Sequence, residues 1–134
     1  MLDGEVRIAI ATDSDIVAAR QAGRQLASQL DFSSSDLTVI AAAVSEIARN
    51  ILEYARRGEV EIRLMEKAGR RGVLVVARDQ GPGIRDIPLA LQDGYSTSGS
   101  LGLGLPGARR LMDEFEVQSE MGKGTTVTMR KWAR

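Results

Sequence analysis

Two polar side chains, Glu46 and Asn50, stand four residues apart in a stretch with helical periodicity. At that spacing they lie one above the other on the same face of a helix. An Asn oxygen is a hard ligand that suits Mg²⁺, which takes few protein ligands beside phosphate and water oxygens. A carboxylate one turn away could orient or deprotonate a nucleophile. The alternative is a solvated helix face, which the nearby Glu53 favours, whereas the small apolar Ala43 on the same side favours the wall of a cleft.

A second polar group follows an apolar stretch, in the sequence Asp79-Gln80-Gly81-Pro82-Gly83. An Asp that begins a turn is common and needs no ligand. Alternatively, the carboxylate at the end of a strand accepts a hydrogen bond from the edge of a ligand. The flanking glycines would then let the flat face of the ligand approach the backbone. The exocyclic amine of adenine is a donor that suits such a carboxylate.

The stretch GLGLPG, Gly102 to Gly107, satisfies the dinucleotide fingerprint G-x-G-x-x-G, and the acidic Glu120 follows it. That fingerprint has meaning only between a strand and a helix of a βαβ unit. Here residues 94–101, GYSTSGSL, have turn chemistry, and the strand after the helix enters a tight hairpin. The glycines therefore predict a phosphate at a helix N-terminus rather than a dinucleotide site. Five glycines from Gly94 to Gly107 favour close backbone approach to a ligand, or a loop that must move.

The composition excludes several kinds of chemistry. The 134 residues include no Cys and no His, so disulfides, thiolate nucleophiles, Ser-His-Asp catalysis and His ligation of metals are ruled out. General base chemistry must fall to Asp or Glu. Lys+Arg and Asp+Glu both number 18, which favours neither nucleic acid nor an anionic membrane as a partner. With no signal pattern and no apolar run of membrane-spanning length, we expect a soluble, cytoplasmic chain with one domain over residues 1–134.

Periodicity predicts the order β-α-α-β-β-α-β-β. Because the helices are grouped, we expect an α/β (α+β) two-layer sandwich with a mixed, mostly antiparallel sheet and helices on one face. The predicted strands are Glu5–Ile10, Glu59–Glu66, Val73–Arg78, Phe115–Met121 and Thr125–Lys131. The predicted helices run from Asp13 or Ser14 to about Leu30, from about Asp36 to Arg56 and from Pro106 to about Glu114, with a short one over Ile87–Gln92.

Four boxes occur in order, E-x-x-x-N from Glu46, D-x-G-x-G from Asp79, G-x-G from Gly102 and a late Gly124-Thr125. This pattern resembles the GHKL ATPase family, which unites the Hsp90 N-terminal domain, DNA gyrase B, MutL and histidine kinases. Nearly the whole chain is similar to one subgroup, the bacterial anti-sigma factors and switch kinases, among them the stressosome serine/threonine kinase. The similar stretches include SEIARNI, DQGPGI and DGYSTSGSLGLGLPGARRLMDEF.

The resemblance implies the Bergerat ATP-binding fold, with ATP and Mg²⁺ as cofactors and a role for each matching residue. Glu46 would be the catalytic base on a protein serine hydroxyl, and Asn50 would coordinate Mg²⁺ on the ATP phosphates. Asp79 would bind the adenine amine with help from a water near Thr125. The remaining roles are a base pocket lined by Gly81 and Gly83, and a lid over the phosphates that spans Gly99 to Gly104 and includes Gly102 and Leu103.

The sequence departs from the family at one place. Many relatives carry His or Lys four residues after the metal-binding Asn, where this chain has Tyr54. The charge that neutralises the phosphates would then come from Arg49, Arg109 or Arg110. Whether Thr125 or Thr126 meets the nucleotide also stays open.

The resemblance implies partners as well. The substrate would be a STAS-domain scaffold or antagonist protein, and the kinase, once released, would activate a PP2C-type phosphatase. The alternative is an ATP-binding anti-sigma or partner-switching module with little catalysis. A detached histidine-kinase ATPase domain is a third interpretation, and it would act only in trans because the chain has no His.

Overall fold

A computed structural model describes residues 4–84 and 104–133. Over these residues the elements follow the order β-α-α-β-β-α-β-β that periodicity predicts. The strands are β1 (Glu5–Ile10), β2 (Gly58–Lys67), β3 (Arg70–Asp79), β4 (Glu114–Glu120) and β5 (Gly124–Trp132). The helices are α1 (Asp13–Ala27), α2 (Ser34–Tyr54) and α3 (Gly104–Leu111). The predicted helix over Ile87–Gln92 lies outside the described residues.

The strands form one five-stranded sheet in the order β1-β2-β3-β5-β4. Every pairing among the described strands is antiparallel, which agrees with the mostly antiparallel sheet expected from sequence. The β2–β3 hairpin is tighter than predicted, because Ala68 and Gly69 have φ of 54° and 77° and close a two-residue turn between Lys67 and Arg70. This antiparallel arrangement contains no βαβ unit in the described chain and agrees with rejecting the dinucleotide interpretation.

The helices pack on one face of the sheet, as predicted. α2 contacts β1, β2 and β3 and also packs against both α1 and α3. Its apolar stripe, which includes Ile40, Val44, Ile47 and Ile51, is buried against the strands. α2 is therefore the central helix of its layer, and polar groups on its flanks lie at the edges of the core.

The opposite face of the sheet carries a group of charged side chains that we call the back-face cluster. Its centre is Glu61 on β2, whose side chain is only 3% exposed. The Glu61 carboxylate accepts hydrogen bonds from Arg78, at 2.9 Å, and from Arg63. The hydrogen bond from Arg78, followed by that from Arg63, lowers the pKa of Glu61 from 4.5 to about 2. The full cluster is Glu5, Arg7, Glu59, Glu61, Arg63 and Arg78.

The ends of α1 and α2 differ from the sequence prediction by a few residues. α1 is capped by Thr12 rather than by Asp13 or Ser14, because the Asp15 carboxylate accepts the backbone N–H groups of Ala11 and Thr12. Those bonds, with that from Ala11 first, lower the pKa of Asp15. α1 ends at Ala27 instead of Leu30, because the N–H groups of Gln29 and Leu30 donate to the carbonyl three residues back rather than four.

For α2, the Ser33 hydroxyl accepts the N–H of Asp36, so the helix begins two residues earlier than predicted. It ends at Tyr54, just before Arg56, whose φ of 71° does not continue a helix. α3 likewise begins at Gly104 rather than Pro106 and ends at Leu111 rather than Glu114. Among the described residues, no helix is both long and apolar enough to cross a membrane.

Candidate functional site

The helix α2 positions Glu46 and Asn50 on the edge of the core. Asn50 is half-buried, and the Glu46 side chain is 16% exposed. The Arg49 guanidinium donates to Oε1 of Glu46 at 3.1 Å. Neither predicted residue lies on a fully solvated face. Ala43, expected to form a cleft wall, is instead completely buried in the core.

Asp79 is the last residue of β3, and the loop after it packs on the C-terminal end of α2. Oδ1 of Asp79 accepts the backbone N–H of Gly81 at 2.9 Å. A β carbon added at Gly81 would lie 2.6 Å from the Cβ of Ala55, so the two backbones approach too closely for any side chain. At 1.5 Å per residue, Glu46 lies about 13 Å along the helix axis from Ala55, and Asn50 lies between them. Glu46 and Asn50 therefore lie one turn apart on the same helix whose C-terminal end contacts the Asp79 loop.

The β4–β5 hairpin holds the other side of that loop. Gly83 has a φ of 83°, and a β carbon on it would lie 2.5 Å from the carbonyl oxygen of Glu120. The N–H of Gly122 donates to the carbonyl of Pro82 at 2.9 Å. The D-x-G-x-G box thus packs between α2 and this hairpin. Both glycines are needed because a β carbon at either position would contact a neighbouring segment too closely.

The sheet register separates the two candidate threonines. Thr125 pairs with Asp79 across β3 and β5, shares the helix side of the sheet with it, and is 6% exposed. Thr126 pairs with Arg78 and faces the side without helices. Only Thr125 therefore lies beside the Asp79 carboxylate.

Part of the predicted site falls on residues that the structure does not describe. Gly99, Gly102 and Leu103, and with them the predicted lid and the glycine- and serine-rich stretch 93–101, lie outside the described residues. Gly104 is the first residue of α3. Of the candidate basic groups, Arg49 contacts Glu46, whereas Arg109 and Arg110 are exposed in the last turn of α3, away from its N-terminus.

Two open cavities border this region. One, of about 530 Å³, lies where α2, β2 and β3 meet. The other, of about 440 Å³, lies between α1 and α2 and reaches Glu46. The first is lined by Ala55, Arg57, Gly58, Glu59, Arg78, Asp79 and Gln80. The second is lined by Arg20, Gln21, Arg24, Thr38, Ala41, Ala42, Ser45, Glu46 and Arg49.

Two contacts of the site were not predicted from sequence. The Glu46–Arg49 ion pair could have been predicted, because opposite charges three residues apart lie on the same face of a helix. Ser119 on β4, whose hydroxyl lies 2.9 Å from that of Thr125, has no comparable signal, because the contact depends on the register of two strands.

The chain also matches a known family. Residues 10–131 match the family described as "Histidine kinase-like ATPase domain". The chain belongs to this family.

Relatives of this ATPase domain include regulators of similar length. The chain is 50% identical over 127 residues to the "Serine/threonine-protein kinase RsbT" of Bacillus subtilis (strain 168), covering 95% of this chain and 96% of that protein. It is 33% identical over 138 residues to the "Anti-sigma F factor" of Clostridium kluyveri, covering 98% of this chain and 96% of that protein. Among solved structures, the "Mycobacterial sensor histidine kinase MprB" has a TM-score of 0.56 at 20% identity, covering 98% of this chain and 99% of that one, which shows a shared fold.

The donor set of this ATPase domain fits a magnesium–nucleotide complex better than an independent metal centre. The described residues include no group of three or more His, Cys, Asp or Glu that could hold a metal ion. Asn50 offers one hard amide oxygen at the edge of the core. That single ligand suits Mg²⁺, which keeps phosphate and water oxygens as its other ligands.

Proposed function

We propose that this chain is an ATP-dependent protein serine/threonine kinase. The observation that carries the proposal is that one helix, α2, carries Glu46 and Asn50 one turn apart and contacts the Asp79 loop at its C-terminal end. A nucleotide whose adenine lies at Asp79 would extend its phosphates along α2 toward Glu46. The 50% identity to the kinase RsbT over nearly all of both chains supports the same activity.

In this proposal the protein mainly positions its two substrates. Asp79 accepts a hydrogen bond from the adenine amine, and Gly81 and Gly83 allow the base to approach the backbone. Asn50 would hold Mg²⁺, which would supply positive charge at the phosphates. Phosphoryl transfer needs little covalent chemistry from the enzyme, so these few groups are sufficient. The residues from Gly99 to Gly104, among them Gly102 and Leu103, cover the phosphates as a lid in the same proposal.

The proton step falls to Glu46. Its carboxylate accepts the proton of the substrate serine or threonine hydroxyl while that oxygen forms a bond to the γ-phosphorus. The bond between the γ-phosphorus and the β,γ-bridging oxygen breaks, and ADP leaves with the bonding electron pair. Arg49, which donates to Glu46, keeps that carboxylate oriented and adds positive charge near the transferred group.

The partners in this proposal are those that the sequence resemblance implies. The phosphoacceptor is a serine or threonine on a STAS-domain scaffold or antagonist protein in a cytoplasmic stress-response pathway of the stressosome type. On release from that complex, the kinase activates a PP2C-type phosphatase. The similarity to RsbT and to anti-sigma F factors supports a partner-switching role of this kind.

A transfer assay tests the proposal. The chain is incubated with Mg²⁺, γ-labelled ATP and a STAS-domain partner, and phosphoserine and phosphothreonine are measured. Glu46→Gln should bind ATP normally but lose transfer by at least 100-fold, as expected for removal of a general base. Glu53→Gln, an exposed glutamate on the same helix, is the matched control and should retain activity. ATP binding by the native chain without phosphoserine or phosphothreonine would contradict the kinase assignment.

One alternative has its own support, since several relatives are anti-sigma F factors. In that case the chain is a binding module in which ATP controls partner affinity and catalysis is minor. The Glu46→Gln variant separates the two functions. If transfer is negligible in both the native chain and the variant, and only partner binding responds to ATP, the binding module is the better description.

A further inference from the structure

Four residues form a row across one end of the sheet, on the side that faces the helices. Gly58 on β2 pairs with Asp79 on β3, Asp79 pairs with Thr125 on β5, and Thr125 pairs with Ser119 on β4. Side chains directly opposite one another on neighbouring strands have β carbons about 5 Å apart. Asp79 thus has Gly58, which carries no side chain, on one side and the hydroxyls of Thr125 and Ser119 on the other.

The Ser119 hydroxyl makes three contacts, and two of them have a fixed direction. The backbone N–H of Ile84 can only donate, and it lies 2.7 Å from Oγ of Ser119. The carbonyl oxygen of Gly124 can only accept, and it lies 3.1 Å from the same atom. A serine hydroxyl has one proton and two lone pairs. We assign its proton to Gly124, the contact whose partner can only accept, and one of its lone pairs to Ile84.

The third contact is to Thr125, whose Oγ1 lies 2.9 Å from Oγ of Ser119. Since the Ser119 proton is already used, this contact is a hydrogen bond only when Thr125 donates its own proton to the remaining lone pair of Ser119. Thr125 then presents only lone pairs on its other side. Together with the Asp79 carboxylate, it forms a surface that accepts hydrogen bonds and offers none.

We infer that Ser119 is a positioning residue for base selectivity, which holds Thr125 as an acceptor so that the site favours a 6-amino purine over a 6-oxo purine. This inference rests on the proposed function, in which Asp79 binds the adenine edge. An exocyclic amine donates to both acceptors, whereas a 6-oxo group would place a third acceptor against them. A buried polar surface that leaves such groups unpaired discriminates strongly between related ligands.

The test compares ATP with inosine triphosphate, which differs from ATP in having the 6-oxo group and a proton on N1. Affinities of both nucleotides are measured by calorimetry for the native chain and for Ser119→Ala. Loss of the Ser119 acceptor frees the Thr125 proton, which can then be donated to a 6-oxo group. We expect the ratio of ATP to inosine triphosphate affinity to fall about tenfold, chiefly because the inosine nucleotide binds more tightly.

Two further variants separate positioning from a structural role. Ser119→Thr keeps the hydroxyl and should retain the native ratio. In a Thr125→Val background, Ser119→Ala should no longer change the ratio, because the hydroxyl that it orients is gone. If the alanine variant fails to fold, Ser119→Cys gives the same comparison with a group of similar size and much weaker hydrogen bonding.

The outcomes also distinguish this inference from the proposed function. A native chain that does not bind ATP overturns both. The native chain could prefer ATP while Ser119→Ala lowers the affinity for both nucleotides equally or for neither. That result overturns only the role of Ser119. A fall in the ratio for Ser119→Ala with retention in Ser119→Thr supports it.

Discussion

Gly81 and Ala55 approach so closely that a β carbon at Gly81 would lie only 2.6 Å from the Cβ of Ala55. This contact joins the loop after β3 to the C-terminal end of α2. It determines how far Asp79 lies from Asn50, which is on the same helix just over one turn before Ala55. The nucleotide site proposed here depends on that distance.

Gly81→Ala should therefore reduce ATP affinity by at least tenfold. The added methyl group must push the loop away from α2, since it would also lie 3.0 Å from the backbone Cα of Ala55. Such overpacking costs about 1–3 kcal/mol. Calorimetric titration with ATP measures the effect. Gly4→Ala is the matched control, because its nearest neighbours are the flexible ends of Leu26 and Leu64. Equal ATP affinity for native and Gly81→Ala chains would show that the contact does not shape the site.

Asn50→Ala should weaken binding of Mg-ATP but leave binding of metal-free ATP nearly unchanged. The Asn amide is proposed to act through the metal, so its loss removes only the magnesium-dependent part of the affinity. Titrations with ATP in excess Mg²⁺ and in the presence of a chelator measure the affinity for Mg-ATP and for metal-free ATP. Gln25→Ala removes an exposed amide on a different helix, α1, and serves as the control. A loss of equal size with and without Mg²⁺ would argue against Asn50 as a metal ligand.

Acidic pH should lower the free energy of unfolding by protonating Glu61. The pKa of this carboxyl is about 2 in the folded chain and near 4.5 when unfolded, because Arg78 and Arg63 donate to the carboxylate. A lowered folded pKa contributes stability that is present above pH 4.5 and is lost as the pH falls toward 2. The arginine partners are about half exposed, so solvent screening reduces the contribution to roughly 1–2 kcal/mol.

Urea unfolding of the native chain and of Glu61→Gln between pH 7 and pH 2 measures this contribution. The difference in free energy of unfolding should be constant above pH 6 and should shrink as the pH falls through 4.5 toward 2. Glu116→Gln, on the exposed edge strand β4, provides the control for removal of one carboxylate. A difference that does not depend on pH would mean that the Glu61 side chain acts only through packing.

Trp132 should contribute to the stability of the fold without affecting ATP binding. Its Nε1 donates to Oε2 of Glu114 at 2.6 Å, and the Arg70 guanidinium lies 4.7 Å above the ring. Trp132→Phe keeps a ring but removes the donor, and should lower the free energy of unfolding by about 1–2 kcal/mol. Circular dichroism in urea measures this, since the chain has no other tryptophan to report by fluorescence.

The same variant should bind ATP as the native chain does. Trp132 is seven residues along β5 from Thr125, or about 23 Å at the rise of an extended strand. A change in ATP affinity would reveal a connection between the two ends of β5 that the described contacts do not contain.

Several features could be predicted from the sequence because they depend on local periodicity. The alternation in Glu5–Ile10 and the apolar stripe of α2 are properties of neighbouring residues, and both elements occur where they were expected. The helix ends were predicted less accurately. The end of α1 depends on how Asp15 and the residues after Ala27 satisfy backbone groups, and several arrangements have similar energies.

For the site, the sequence by itself determined that Glu46 and Asn50 share a helix face, because the spacing of four residues decides it. It also determined that a carboxylate and glycines follow an apolar strand at Asp79. Only the tertiary structure decided that Thr125 rather than Thr126 lies beside Asp79, that Ala43 is core, and that Ser119 contacts Thr125. These relationships depend on strand register and helix packing, which join residues far apart in the chain and have no local signature.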